Sequence, residues 1–170
     1  MLGISHKVVK SNFAENLPKH EYCPADYAKE TAARKGLEVA ERLRGAEDEP
    51  HLILGFDTVV EHDGQVLEKP EDAAHAREML SALSGSTHNV HTGVAMILPS
   101  VGDKNREPFM HAFSCTTKVC FSRLSEETIE AYVNTGEPMD KAGGYGIQGI
   151  AGSFVEQIHG CYFNVRIERH

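Results

Sequence analysis

Apolar residues recur at helical or strand spacing along most of the chain, and turn-forming residues separate these segments. Helical spacing predicts a first helix from Asp26 to Arg44, with Asp26 as its N-cap and Gly45 as its stop. Val8 and Val9 predict a short strand before this helix.

The middle of the chain alternates between strands and a second helix. The apolar run from His51 to Val60 predicts a buried strand, and Asp63-Gly64 after it predicts a hairpin. Proline at the first turn and apolar residues at helical spacing predict a second helix, which opens at Pro70 and stops at Gly85.

Two longer strands are predicted next, from Val90 to Leu98 and from Phe109 to Phe121. Ser125 predicts the start of a third helix, a glycine-rich loop spans Gly136 to Gly149, and a last strand covers Phe154 to Ile158. Hairpins and long antiparallel-looking runs favour an α/β fold with a mixed β-sheet flanked by helices over a purely parallel, doubly wound sheet.

Length and charge limit the classes of function. The 170 residues, 41% of them hydrophobic, correspond to one domain with its own core. The formal net charge of -8 makes nucleic acid an unexpected general partner. The sequence contains no apolar run long enough to span a membrane and no secretory signal, so we expect a cytoplasmic protein without a membrane partner.

Cysteine and histidine patterns do not predict a metal site. The four cysteines show no CxxC spacing, and we expect them to be reduced structural thiols. His88 and His91 lie three residues apart on a predicted strand, which directs their side chains to opposite faces of the sheet. We therefore expect solvated or core histidines here.

Asp57 is the first candidate functional residue, because it interrupts an apolar strand. A buried carboxylate needs a partner, so a catalytic or metal-binding role and a structural ion pair are about equally consistent with its position. The next residue, Thr58, points the other way along a regular strand.

Lys69 and the glycine-rich loop are the next candidates. Lys69 precedes the predicted helix start at Pro70, where a bound anion would be favoured, although a solvated loop lysine explains it better when taken alone. The loop from Gly136 to Gly149 combines five glycines with charged residues and Gln148, which favours a binding loop over a merely flexible one.

Six stretches then carry a family resemblance. In order and spacing, GFDTVV, LEKPED, MLSALSG, VHTGVA, TKVCFSRLSEE and GEPMDKAGGYGIQG resemble the Maf-like nucleotide pyrophosphatases across nearly the whole chain. The resemblance implies a Maf/ITPase-like fold with two lobes around a cleft, and hydrolysis of a nucleoside triphosphate to its monophosphate and pyrophosphate. It also implies a divalent metal, usually Mg²⁺, a house-cleaning role in nucleotide metabolism, and a homodimer.

The resemblance also implies roles for the residues of the reaction centre. Asp57 matches the general base that activates water, and Glu15 joins Asp57 in binding the metal. Lys35 and Lys69 match the lysines that contact the phosphates. These roles suit attack at the α-phosphorus, which needs an activated water, a metal and cations that hold the leaving pyrophosphate.

Thr58 and Gln148 match two residues that set nucleobase preference in the family branch that acts on dTTP and UTP. The remaining motif residues are expected to support the cleft through pairing among themselves, and they are Glu137, Asp140 and Lys141.

The sequence also departs from the family pattern. We find no Ser-x-Ser-Pro-Arg-Arg phosphate-binding loop, the end NVRIERH diverges, and Phe56 replaces a small residue. We therefore expect a single domain, 1–170, truncated at the N-terminus and the C-terminus. One alternative is a catalytically impaired nucleotide-binding module. Another is an ITPase-like enzyme for deaminated purines, against which the YGIQ sequence argues.

Overall fold

The structure is a computed structural model, and it describes residues 6–100 and 107–166. Antiparallel strands and α-helices are the main elements of these ranges. The five strands of these ranges form one sheet in the order β2-β1-β3-β4-β5. They are β1 (Ile53–His62), β2 (Gln65–Leu67), β3 (Thr87–Leu98), β4 (Phe109–Phe121) and β5 (Val155–His159). Each described pairing between them is antiparallel.

The α-helices of the described ranges are α1 (Pro24–Arg42), α2 (Ala73–Leu83), α3 (Glu126–Val133) and α4 (Tyr162–Val165). Short 3-10 helices lie at Lys19–Glu21, Glu137–Asp140, Ala142–Gly144 and Ile150–Phe154. The predicted α/β class is confirmed. None of the helices in these ranges is long and apolar enough to cross a membrane.

Local turn and capping chemistry sets several of these boundaries. Asp63 and Gly64 have φ values of 50° and 76°, the left-handed backbone that a tight hairpin requires, and they join β1 to β2 as predicted. The hydroxyl of Ser125 accepts a hydrogen bond from the backbone N–H of Thr128, which confirms Ser125 as the N-cap of α3.

Two predicted helix starts and one predicted strand are wrong. Helix α1 begins at Pro24, because proline suits the first helical position, so Asp26 lies inside the first turn. Helix α2 begins at Ala73 and not at Pro70, because the carboxylate of Asp72 caps it through the N–H of His75. The described residues around Val9 form no strand, and Val9 packs against the core cluster beside α1 instead.

Alternation along β1 divides the sheet into two faces with different coverings. Ile53, Gly55, Asp57 and Val59 point to the face on which α1 packs, here termed the α1 face. The residues between them, Leu54, Phe56, Thr58 and Val60, point to the opposite face. Only the Val60 end of that face is covered by α2, α3 and the largest core cluster. Leu54 and Phe56 remain 51% and 50% exposed.

Glycines allow α1 to lie unusually close to the sheet. A Cβ at Gly93 of β3 would overlap the carbonyl oxygen of Ala28, and one at Gly55 of β1 would overlap that of Ala32. The absence of side chains at these two positions therefore sets the distance between helix and sheet. It fixes the height of α1 above the middle of β1.

The two strand histidines face opposite sides, as predicted. His88 is buried on the opposite face, where its Nε2 lies 2.7 Å from the hydroxyl of Tyr145. Burial lowers the pKa of His88 to about 4, so this ring is neutral at pH 7. His91 lies on the α1 face, with its Nε2 2.8 Å from a carboxylate oxygen of Glu61.

Gly93→Ala tests the close approach of α1. The added methyl group would meet the carbonyl oxygen of Ala28, so either the helix or the strand must move. We expect the free energy of unfolding to fall by about 1–3 kcal/mol, the usual cost of overpacking, in denaturant titrations. Gly64→Asn is the control, because it adds a side chain in open space and asparagine tolerates a positive φ. Equal stability of Gly93→Ala and wild type contradicts the prediction.

Candidate active site

A buried carboxylate lies in the middle of β1 and is paired with a lysine from α1. Asp57 is only 8% exposed, and its Oδ1 lies 2.7 Å from the Nζ of Lys35. The side chain of Lys35 is itself only 21% exposed. The close packing of α1 on the sheet brings these two groups together, although they are 22 residues apart in the sequence.

Glu15 completes this cluster from the segment that precedes α1. Its Oε1 lies 2.9 Å from the same Lys35 Nζ, so one ammonium group bridges two carboxylates. The segment is anchored by Glu38 of α1, which accepts hydrogen bonds from the side chain of Arg42 and the backbone N–H of Asn12. These bonds lower the pKa of Glu38 to about 2, so its carboxylate stays ionised at neutral pH.

The charges in this cluster change one another's protonation. Burial raises the pKa of Asp57, and the ammonium of Lys35 offsets this only in part, while Glu15 adds to the rise. Burial acts to lower the pKa of Lys35, but the two carboxylates outweigh it and the pKa is raised. Lys35 is therefore charged at neutral pH. Asp57 has a stronger affinity for a proton than an ordinary aspartate.

A second ion pair that the sequence did not predict adjoins the first. Glu68 accepts hydrogen bonds from the hydroxyl of buried Tyr27 at 2.9 Å and from the Nζ of Lys19 at 2.6 Å. Its negative charge also contributes to the raised pKa of Asp57. The prediction selected the next residue, Lys69, which is exposed. The sequence signal for Glu68 was its place in the LEKPED motif.

Thr58 lies on the other side of the strand from Asp57. Its hydroxyl is 2.9 Å from the hydroxyl of Thr92, which donates to the carbonyl oxygen of Asn164 at 3.2 Å. The expectation that Asp57 and Thr58 point in opposite directions therefore holds, because β1 is regular at both positions.

The glycine-rich loop packs on the Thr58 side of the sheet. A Cβ at Gly143 would lie 2.8 Å from a methyl carbon of Val60, and the N–H of Gly143 donates to the carbonyl oxygen of Glu68 at 3.0 Å. Gln148 follows in an exposed turn of the same loop. The loop thus connects the opposite face with the segment that carries Lys69.

Charged residues within this loop pair with one another. Lys141 is only 6% exposed, and its Nζ donates to the carboxylate of Asp140 at 2.6 Å and to the carbonyl oxygen of Glu137 at 2.8 Å. The carboxylate of Glu137 accepts from the hydroxyl of Tyr132 at 3.2 Å. These bonds hold the loop in its conformation on the sheet.

Glu15 and Asp57 are the residues that fit a divalent cation. They already converge on one positive charge, the ammonium of Lys35. Over the described ranges, no group of three or more His, Cys, Asp or Glu side chains is arranged to hold a metal. Two carboxylates nevertheless suit Mg²⁺, which commonly binds one or two carboxylates and takes its other ligands from water and substrate phosphates.

Comparison with known proteins agrees with the motifs. A family model described as Maf-like protein matches residues 1–166. A human protein named "Probable bifunctional dTTP/UTP pyrophosphatase/methyltransferase protein" is 48% identical over 96% of this chain, which spans only 27% of the human protein. A protein named dTTP/UTP pyrophosphatase from Clostridium perfringens (strain 13 / Type A) is 45% identical over 94% of this chain and 78% of its own length. One of the same name from Clostridium tetani is 40% identical with the same coverage. Since the family model covers almost the whole sequence, this chain belongs to the Maf-like protein family.

Proposed function

We propose that this chain is a nucleotide pyrophosphatase that hydrolyses dTTP and UTP to their monophosphates and pyrophosphate. The relatives named dTTP/UTP pyrophosphatase support this substrate class. The observation that carries the proposal is Asp57, a buried carboxylate with a raised pKa that is held beside a bridging lysine. A phosphate hydrolase needs such a proton acceptor and such a cation next to each other.

In the proposed mechanism, Asp57 accepts a proton from the water that attacks the α-phosphorus. Its raised pKa suits this role, because a base works best when its pKa approaches the working pH. Lys35 and Lys69 hold the phosphate oxygens and stabilise the charge that develops on the leaving pyrophosphate. Glu15 and Asp57 would hold a divalent cation, proposed to be Mg²⁺, which neutralises phosphate charge when bound.

The two faces of β1 suggest how the nucleotide lies. Asp57, Lys35 and Glu15 meet on the α1 face, whereas Thr58 and the loop that carries Gln148 are on the opposite face. In the described ranges, β2 pairs with β1 only from Val60 to His62, so the edge beside Asp57 and Thr58 has no strand neighbour on that side. We propose that the nucleotide crosses this edge, with its base near Thr58 and Gln148.

We also propose a cytoplasmic homodimer with a house-cleaning role in nucleotide metabolism. The four cysteines are free thiols, which suits a reducing compartment. Three apolar side chains on the opposite face of the sheet are about half exposed, Leu54, Phe56 and Phe113. They would suit contact with a second copy of the chain.

Asp57→Asn tests the proposed base. Asparagine keeps the shape of the side chain but cannot accept the proton from water, so pyrophosphate release from dTTP and UTP should fall by about 10²- to 10⁴-fold. Asp63→Asn is the matched control, because Asp63 is exposed in the hairpin and should keep full activity. Retained turnover in Asp57→Asn refutes its role, and no release by the unaltered chain contradicts the proposed function.

The pH dependence of kcat/KM should report the same carboxyl group. Protonated Asp57 cannot act as a base, so activity is lost as the pH falls through its pKa, which lies above the ordinary value of 3.8. In Lys35→Met, this loss of activity should occur at a higher pH, because the ammonium of Lys35 acts to lower the pKa of Asp57. If the loss occurs at the same pH in Lys35→Met as in wild type, it belongs to another group.

Gln148→Glu tests recognition of the base. The change replaces the donor NH₂ of the amide with a carboxylate oxygen, so any hydrogen bond to an acceptor on the pyrimidine is lost. 7-Methyl-GTP, a purine nucleotide, serves as the comparison substrate. We expect the rate of UTP hydrolysis divided by the rate of 7-methyl-GTP hydrolysis to fall by about tenfold or more. Gln157→Glu, at an exposed position of β5, is the control for the change in charge. An unchanged ratio in Gln148→Glu refutes base recognition at this position.

A further inference from the structure

One ammonium group occupies the place where a metal would bind in the proposed active site. The Nζ of Lys35 lies 2.7 Å from Asp57 and 2.9 Å from Glu15, which come from different parts of the chain. These carboxylates are also the pair that fits a divalent cation. In this structure, therefore, a side chain of the protein compensates part of the negative charge of the pair.

Lys35 and a divalent cation would compete for these two carboxylates. Both are positive, and like charges that share ligands in a partly buried site repel each other strongly. The neighbouring carboxylate of Glu68 already accepts hydrogen bonds from Tyr27 and Lys19, so it is not an open partner for the ammonium of Lys35. Lys35 must therefore find another anionic partner before a metal can take its place.

A bound triphosphate supplies that partner, since the proposed function places phosphate oxygens within reach of Lys35. We propose that Lys35 gates the metal site: it occupies Glu15 and Asp57 in the free enzyme and releases them when phosphate oxygens bind its ammonium. The proposal rests on the proposed function and goes beyond a fixed role of Lys35 in phosphate binding. Its consequence is that metal and nucleotide bind cooperatively.

The side chains involved are suited to such an exchange. Lysine has a flexible four-carbon stem, and its ammonium makes no fixed planar contacts. The Glu15 side chain is 48% exposed, so a cation can approach it from solvent. Asp57 is nearly buried and keeps its place in β1, so Lys35 is the group that moves.

Direct Mn²⁺ binding tests the proposal without any reliance on turnover. Mn²⁺ affinity is measured by electron paramagnetic resonance at about pH 8, where carboxylates are ionised, with and without the non-hydrolysable α,β-imido analogue of UTP. In wild type, we expect the analogue to raise Mn²⁺ affinity by about tenfold or more. In Lys35→Met, Mn²⁺ alone should bind about tenfold or more tightly than in wild type, and the effect of the analogue should shrink.

Lys29→Met is the matched control, because it removes one positive charge from the same helix at a residue that pairs with Asp26 instead. It should bind Mn²⁺ as wild type does. Lys35→Arg keeps a cation at the site and should keep the weak binding of Mn²⁺ alone. Tight Mn²⁺ binding by wild type without nucleotide overturns the proposal, and so does equal binding by Lys35→Met and Lys29→Met.

If Lys35→Met fails to fold, Mn²⁺ binding by wild type with and without the analogue still tests the proposal. The gate is refuted if the analogue does not raise the Mn²⁺ affinity of wild type. The proposed function has its own readout. If wild type releases pyrophosphate from dTTP but shows no coupling, the gate is wrong and the function stands. If wild type neither binds nor hydrolyses dTTP or UTP, the function itself is wrong.

Discussion

The close approach of α1 to the sheet is the constraint on which the rest of the site depends. It exists because Gly55 and Gly93 have no side chains between the strands and the helix backbone. A helix held further away would carry Lys35 away from Asp57, whose Oδ1 lies 2.7 Å from the ammonium. The chemistry of the site therefore depends on two glycines that make no contact with the proposed substrate.

The strand that carries Asp57 also separates the two tasks of the proposed enzyme. Because side chains alternate along β1, Asp57 meets α1 and Thr58 meets Thr92 on the other face. Adjacent residues can thus serve the phosphates and the base without sharing neighbours. This arrangement explains how two adjacent residues of one strand can carry the proposed general base, Asp57, and the proposed nucleobase-selecting residue, Thr58.

Features set by local chemistry were predictable from the sequence. The Asp63-Gly64 hairpin, the Ser125 cap and the opposite directions of Asp57 and Thr58 follow from a few neighbouring residues. Features set by distant contacts were not. Glu68 and Tyr27 are 41 residues apart, and no local pattern relates them. The strand predicted at Val8 and Val9 failed for a similar reason, since strands need partners.

Burial, which the ammonium of Lys35 offsets only in part, explains the raised pKa of Asp57. A buried carboxylate with a lysine to itself would normally have a lowered pKa, because the ion pair favours the charged form. Here the ammonium of Lys35 serves Glu15 as well, and burial outweighs its effect, so the pKa of Asp57 is raised. The same incomplete compensation leaves a net negative charge on the pair when both carboxylates are ionised. Burial and a shared lysine thus account together for the raised pKa of Asp57, and the uncompensated charge supports the proposed metal-binding role of the pair.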